Sequence, residues 1–104
     1  MKEIKEQIVI DNITLDCDIN IVDPETNEPS EIHVWLDDND IMALTVDNNY
    51  HNITEQMALI SSEVRHRVEH ICYHHGIKIT CECFGVANGK MYILYFGIWN
   101  NNQN

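Results

Sequence analysis

Hydrophobic and polar residues alternate along the first third of the chain, which predicts β-strands. Between residues 13 and 21 every second position is Ile, Leu or Cys, and polar residues that include Asp16 and Asp18 fill the positions between them. A period of two is typical of a strand with one buried and one exposed face. The apolar positions from Ile4 to Ile10 predict a preceding strand, joined to the first by a tight turn at Asp11-Asn12.

Two more apolar segments follow, separated by turn residues. Residues 23–30 contain both prolines and predict a loop. The segment from Ile32 to Leu36 alternates again and places His33 and Trp35 on its second face. After an acidic turn, the apolar run from Ile41 to Val46 predicts a fourth strand.

A change of period then predicts one long helix, from about Thr54 to His75. Thr54 is a residue type that favours the helix N-cap, and the acidic Glu55 suits the positive end of a helix. Apolar residues recur at helical spacing at Met57, Ile60, Val64, Val68 and Ile71. Gly76 is typical of the position that follows a helix C-terminus, where a left-handed conformation is needed.

The residues after the helix return to a period of two and predict a C-terminal hairpin over residues 77–99. Asn88-Gly89 is a strong signal for its turn, and residues 100–104 predict a frayed tail. With the first four strands within residues 4–46, the predicted order is ββββαββ. This order favours an α+β fold with a mostly antiparallel sheet and the long helix packed on one face. The 104 residues fit one domain.

The charge of the chain is concentrated in one stretch. The formal net charge is −11, from 17 acidic residues against 6 Lys and Arg. No Lys or Arg occurs between Glu6 and Val64, and 14 of the 17 acids lie in that stretch. So large a charge aids solubility but destabilises the compact state through self-repulsion, so it favours a functional role in addition to solubility.

Several classes of function are disfavoured by the sequence. The start of the chain lacks the apolar run of a secretory signal, and no segment is long enough to span a membrane, so a cytoplasmic location and reduced cysteines are expected. Phosphate repulsion opposes direct binding of nucleic acid. No nucleophile elbow, P-loop or GxGxxG motif occurs. We therefore expect no enzymatic activity and no cofactor, and either a monomer or a dimer.

The acidic residues of the N-terminal strands and loops are the candidate binding site for a basic partner. Asp16 and Asp18 lie roughly 6.6–6.8 Å apart on the same side of their strand, because alternate residues share a face. Trp35 is the candidate anchor, since Trp is enriched at binding hot spots. The predicted partner-binding residues are Asp16, Asp18, Asp23, Glu25, Glu28, Trp35, Asp37, Asp38, Asp40 and Asp47.

Histidines and cysteines offer other chemistry. His66, His70 and His74 recur every four residues on one flank of the predicted helix, a spacing that can chelate a transition metal or make binding sensitive to pH. No HExxH motif or convincing third ligand accompanies them, so solvated histidines are the favoured interpretation and no metal site is assigned. Strand alternation predicts Cys81 and Cys83 on an inward face, as buried structural thiols.

In size, acidity and lack of catalytic motifs the chain resembles small anti-defence proteins of phages and plasmids, such as anti-CRISPR proteins and anti-restriction proteins that mimic DNA. The resemblance rests on charge and length and carries over no residue. It implies an inhibitor that occupies a nucleic-acid groove, with Asp and Glu engaging the Arg and Lys that a Cas9-type nuclease uses for DNA.

Three alternatives stay open at this point. An immunity or antitoxin protein would bind a basic nuclease toxin with the same kind of surface. A metal-binding module would use the helical histidines, and a structural subunit would pair edge strands between chains.

Overall fold

Five antiparallel strands form one sheet in the order β1-β2-β3-β5-β4, and one long helix connects β3 to β4. The computed structural model describes residues 2–10, 13–36, 53–88 and 90–100, and it describes side chains of the helix from residue 61 onward. The elements are β1 (Lys2–Ile10), β2 (Ile13–Ile21), a 3-10 turn (Pro24–Thr26), β3 (Ser30–Leu36), α1 (Ile53–His74), β4 (Ile77–Ala87) and β5 (Lys90–Trp99). The predicted α+β class, the antiparallel sheet and the long helix are confirmed.

The order of the described elements is βββαββ, whereas the sequence predicted ββββαββ. The fourth strand predicted for residues 41–46 lies outside the described residues, as does the turn at residues 11–12. The helix begins at Ile53 and ends at His74, one residue earlier at each end than predicted.

Alternation on β1 and β2 builds one half of the core. The two strands pair from Lys2 with Ile21 to Ile10 with Ile13, so Ile8 lies directly opposite Leu15. Directly opposed residues share a face of the sheet, and both of these side chains are buried. The acidic and polar residues between the buried ones therefore point to the other face.

The helix adds a row of small apolar side chains to the same core. Val64, Val68 and Cys72 lie four residues apart and are fully buried, while Ile71 packs against the core and is only partly buried. The helix ends as its sequence predicts, because Gly76 adopts φ 77° and its amide donates to the carbonyl of Tyr73. His75 lies in the turn beyond the helix, with Nε2 3.6 Å from Oε1 of Glu6.

A bulge in β4 overturns the prediction for Cys81 and Cys83. Ile79 pairs with Gly97, and Cys81 pairs with Phe96, the residue that directly precedes Gly97 on β5. Thr80 is therefore an extra residue in β4. One extra residue moves every later side chain to the opposite face. Both thiols are consequently exposed, and the prediction that they are buried was wrong.

The bulge also brings Glu82 to the helix side of the sheet. Oε1 of Glu82 accepts a hydrogen bond of 3.1 Å from Arg65, and Oε2 accepts one of 3.3 Å from Ser61. Arg65 also pairs with Glu69, at 2.9 Å, so one guanidinium is opposed by two carboxylates. Within the described residues, no helix is long and apolar enough to cross a membrane.

Candidate protein-binding surface

The sheet has a second face, on the side opposite α1, which we call the outer face. Strand register places there the residues that alternate with the core. On β1 to β3 they include Glu3, Lys5, Gln7, Asp16, Asp18, Asn20, Glu31, His33 and Trp35, and on β4 and β5 they include Cys81, Cys83, Gly85, Tyr92, Leu94, Phe96 and Ile98. The outer face is therefore acidic along β2 and aromatic or aliphatic along β5.

Asp18 is the best-connected carboxylate of this face. Its Oδ1 accepts a hydrogen bond of 3.0 Å from Nζ of Lys5, and its Oδ2 accepts one of 3.1 Å from Nε1 of Trp35. Partial burial raises the pKa of Asp18, but the hydrogen bonds from Lys5 and Trp35 outweigh it and hold the pKa below the usual value. Asp18 is thus ionised and fixed in orientation.

Three aromatic rings contact one another beside this carboxylate. His33 and Trp35 are nearly parallel with centroids 5.9 Å apart, and Tyr92 is tilted against Trp35 at 5.2 Å and against His33 at 5.3 Å. Tyr92 is opposite Gly85 on β4, and a Cβ at Gly85 would overlap the Tyr92 ring. The glycine therefore lets the ring lie flat across the neighbouring strand, next to Trp35.

The sheet divides at one end of this cluster. Pairing between β2 and β3 stops at Cys17 with Val34, although β2 begins four residues earlier and β3 continues to Leu36. A cleft of about 960 Å³ lies at this division. Its lining includes Lys5, Gln7, Asp16 and Asp18 on one side and Trp35, Ala87, Asn88 and Lys90 on the other.

A second group of acids lies on the connection from β2 to β3. Asp23, Glu25 and Glu28 are all exposed there, and in the described part of the chain no cation is within 4.0 Å of their carboxylates. The connection is anchored at its ends, since Ser30 Oγ accepts a hydrogen bond from the amide of Val22. These three acids therefore project from an ordered segment.

Hydrogen bonds to the backbone explain why the carboxylates of this connection are not needed to hold its turn. The carbonyl of Asp23 accepts hydrogen bonds from the amide and the hydroxyl of Thr26, so the 3-10 turn is closed without the Asp23 side chain. Asn27 then takes a left-handed conformation with φ 61°, which Asn tolerates better than most residues. The turn therefore does not depend on hydrogen bonds from these carboxylates.

The predicted site residues thus fall into three groups. Asp16, Asp18 and Trp35 come together on the outer face. Alternation predicted only that Asp16 and Asp18 share one side of their strand. Asp23, Glu25 and Glu28 lie together on the β2–β3 connection. Asp37, Asp38, Asp40 and Asp47 lie outside the described residues.

Sequence reasoning missed two contributors to the outer face, namely Lys5 and Tyr92, and it placed His33 beside Trp35 without giving it a role in the site. Tyr92 lies on a run that is apolar on both faces, so its period gives no orientation. The pairing of Trp35 with Tyr92 across β3 and β5 is what brings the rings together.

The helical histidines are exposed on α1. The rings of His70 and His74 meet edge to face with centroids 4.8 Å apart, and His66 is one turn earlier. Among the described residues, no three His, Cys, Asp or Glu side chains are arranged to hold a metal ion. These histidines therefore give no support for assigning a metal site.

Comparison with known proteins gives no family: no protein-family model, no curated protein and no solved structure matches this chain.

Proposed function

We propose that this protein is an inhibitor that binds the nucleic-acid groove of a basic protein, with its carboxylates in the place of phosphates. A nuclease of an antiviral defence system and a nuclease toxin are the two cases of this partner class. The observation that carries the proposal is the group formed by Asp23, Glu25 and Glu28, three exposed carboxylates on one anchored connection. Carboxylates bind Arg and Lys through charge-assisted hydrogen bonds, as phosphates do.

The distribution of cations supports the same conclusion. Lys5 is shared between Glu3 and Asp18, and Arg65 between Glu69 and Glu82. These two cations therefore pair with acids of their own neighbourhood and not with the acids of the β2–β3 connection. No ion pair of the described residues involves the acids of the β2–β3 connection, so they are available to a partner.

Exposed carboxylates also suit the kinetics of such an inhibitor. A concentrated negative field attracts a basic protein before contact and raises the association rate, most strongly at low ionic strength. The same field opposes binding of nucleic acid by this chain. A competitor that replaces DNA on a basic groove needs both properties.

The test is affinity capture from a bacterial lysate, followed by elution with duplex DNA. We expect nucleic-acid-binding proteins to be captured by the natural chain and released by DNA. The variant with Asp23, Glu25 and Glu28 all changed to Lys should capture none of them. The single variant Glu25→Lys should weaken capture, and Glu63→Lys is its charge-matched control, because Glu63 is an exposed acid on α1, away from the connection. Capture that DNA does not reverse, or that the triple variant retains, contradicts the proposal.

A further inference from the structure

The cleft on the outer face combines a free carboxylate with a fixed aromatic ring. We infer that it receives an arginine side chain of the basic partner, an inference that rests on the proposed function and names one contact within it. The guanidinium lies against the ring of Trp35 and donates to Asp16.

Three carboxylates line the cleft, namely Glu6, Asp16 and Asp18. Glu6 is half-buried and lies 3.6 Å from Nε2 of His75, so Asp16 is the carboxylate that is most open to a ligand. It is exposed, it lies on the outer face two residues before Asp18, and no cation in the described part of the chain is within 4.0 Å of it. Asp18, in contrast, already accepts from Lys5 and Trp35 with one oxygen each. Asp18 therefore orients the indole of Trp35, and Asp16 accepts hydrogen bonds from the guanidinium of the partner's arginine.

Trp35 is held in one orientation by its surroundings. Its Nε1 is bonded to Asp18, His33 is nearly parallel to its ring, and Tyr92 is tilted against it. A fixed aromatic surface binds a cation at a low cost in conformational entropy. Arginine is favoured over lysine, because its planar guanidinium can stack on an indole while its N–H groups reach a carboxylate.

The two lysines that line the cleft indicate where in the cleft the arginine side chain binds. Lys5 is opposed by Glu3 at 3.3 Å as well as by Asp18 at 3.0 Å, so its charge is offset. Lys90 lies at the β4–β5 hairpin, opposite Ala87, and no acid of the described residues pairs with it. Lys90 repels a cationic guest and directs it toward the β2 side of the cleft.

The cleft is large enough for an amino-acid side chain and its flanking backbone. A volume of about 960 Å³ is at the upper end of the range of ligand pockets. A nucleotide could also stack on Trp35, but its phosphates would meet Asp16 and Asp18. The charge of the β2 side therefore favours an arginine-bearing segment.

The test uses two peptide amides, tetra-arginine and tetra-lysine, and the natural chain labelled with ¹⁵N. The chain has two tryptophans, so its NMR spectrum has two indole N–H signals. Trp99 reports on the β2–β3 connection, because its Nε1 donates to the carbonyl of Val22 at 2.8 Å, next to Asp23. Trp35→Phe assigns the two signals. We expect tetra-arginine to shift the Trp35 signal, and we expect Asp16→Asn to reduce that shift while leaving any shift of the Trp99 signal unchanged.

Matched variants separate this contact from general attraction between charges. Asp16→Asn should weaken tetra-arginine binding about fivefold, whereas Glu63→Gln, with the same loss of charge on α1 and outside both the cleft and the connection, should change it less than about twofold. Tetra-lysine should bind about three- to tenfold more weakly than tetra-arginine. Lys90→Gln should strengthen the binding of tetra-arginine.

Equal shifts with the two peptides, or equal effects of Asp16→Asn and Glu63→Gln, would overturn the cleft assignment. Either result leaves the proposed function standing, because DNA-reversible capture depends on the acids of the connection. Loss of that capture with intact binding of tetra-arginine is the converse result and removes only the proposed function.

Discussion

Nε1 of Trp35 donates a hydrogen bond of 3.1 Å to Oδ2 of Asp18, and this contact joins the aromatic and acidic halves of the outer face. The two residues belong to adjacent strands, β3 and β2, and Asp18 is directly paired with His33. Asp18 has less capacity to bind a partner, because both of its oxygens already accept hydrogen bonds within the protein. The contact explains why Asp16, rather than Asp18, is the free acid of the cleft.

Replacing Asp18 with Asn should destabilise the protein in a manner that depends on pH. The folded-state pKa of Asp18 is below the usual 3.8, so its stabilising effect is complete above that pH and is lost as the pH falls through the folded pKa. Asn keeps an acceptor but removes the charge that attracts Lys5. Thermal unfolding at pH 7 should show a loss of a few degrees in Tm, and the difference from the natural chain should shrink below about pH 3.8. Asp16→Asn is the control, and a difference that is constant with pH would contradict the interpretation.

The four cysteines should react in two classes. Burial raises the pKa of the Cys17 and Cys72 thiols to about 12, which leaves almost no thiolate at neutral pH. Cys81 and Cys83 are exposed because of the bulge. A colorimetric thiol reagent at pH 8 should therefore modify two thiols quickly in the folded protein and four after unfolding.

Single serine variants assign these two classes. Cys81→Ser and Cys83→Ser should each remove one fast thiol, whereas Cys17→Ser should remove none. Four fast thiols in the folded state, or no fast thiol, would contradict the register of β4.

Tyr95→Phe should leave stability unchanged or increase it by about 1 kcal/mol, because an unpaired buried hydroxyl is costly. Tyr95 is fully buried, and within the described residues its hydroxyl has no hydrogen-bond partner. Denaturant unfolding of the variant and of Tyr92→Phe, whose ring lies on the outer face, provides the comparison. A loss of more than about 1 kcal/mol for Tyr95→Phe would show that the hydroxyl is bonded.

Two glycine substitutions should have different signatures. Ala at Gly85 would displace the Tyr92 ring, and Ala at Gly97 would press on the buried Ile77 side chain. Gly85→Ala should therefore shift the indole signal of Trp35 with a small effect on stability. Gly97→Ala should cost about 1–3 kcal/mol of unfolding free energy and leave that signal in place. If Gly85→Ala left the Trp35 signal unchanged, the packing of Tyr92 on Trp35 would be wrong.

The strands and the helix could be predicted because their periods differ. β2 alternates over its full length, and Val64 and Val68 repeat at the spacing of a helix. The bulge at Thr80 was not predicted, because the apolar positions change from Ile77 and Ile79 to Phe84 and Val86 across two cysteines that fit either phase. Cys81 and Cys83 consequently have the same apparent alternation whether they face the core or the solvent.

The acidic residues of the candidate site could be placed by the same kind of pattern. Alternation alone places Asp16 and Asp18 on one face, and turn residues place Asp23, Glu25 and Glu28 on a loop. The contact between Trp35 and Asp18 depends on the register of β3 against β2. That register is set by the length and conformation of the connection and by burial of both strands, which are properties of the folded chain.

The most direct test of the central claim is the dissociation constant of the complex with a DNA-released partner, measured across a range of salt concentrations. We predict that binding weakens steeply between about 0.05 M and 0.5 M salt, because exposed charges are screened over a Debye length of about 10 Å at 0.1 M. The variant with Asp23, Glu25 and Glu28 changed to Lys should keep its Tm and lose binding, while Glu63→Lys should bind nearly as well as the natural chain. Tight binding that is independent of salt and survives the triple substitution would contradict the account.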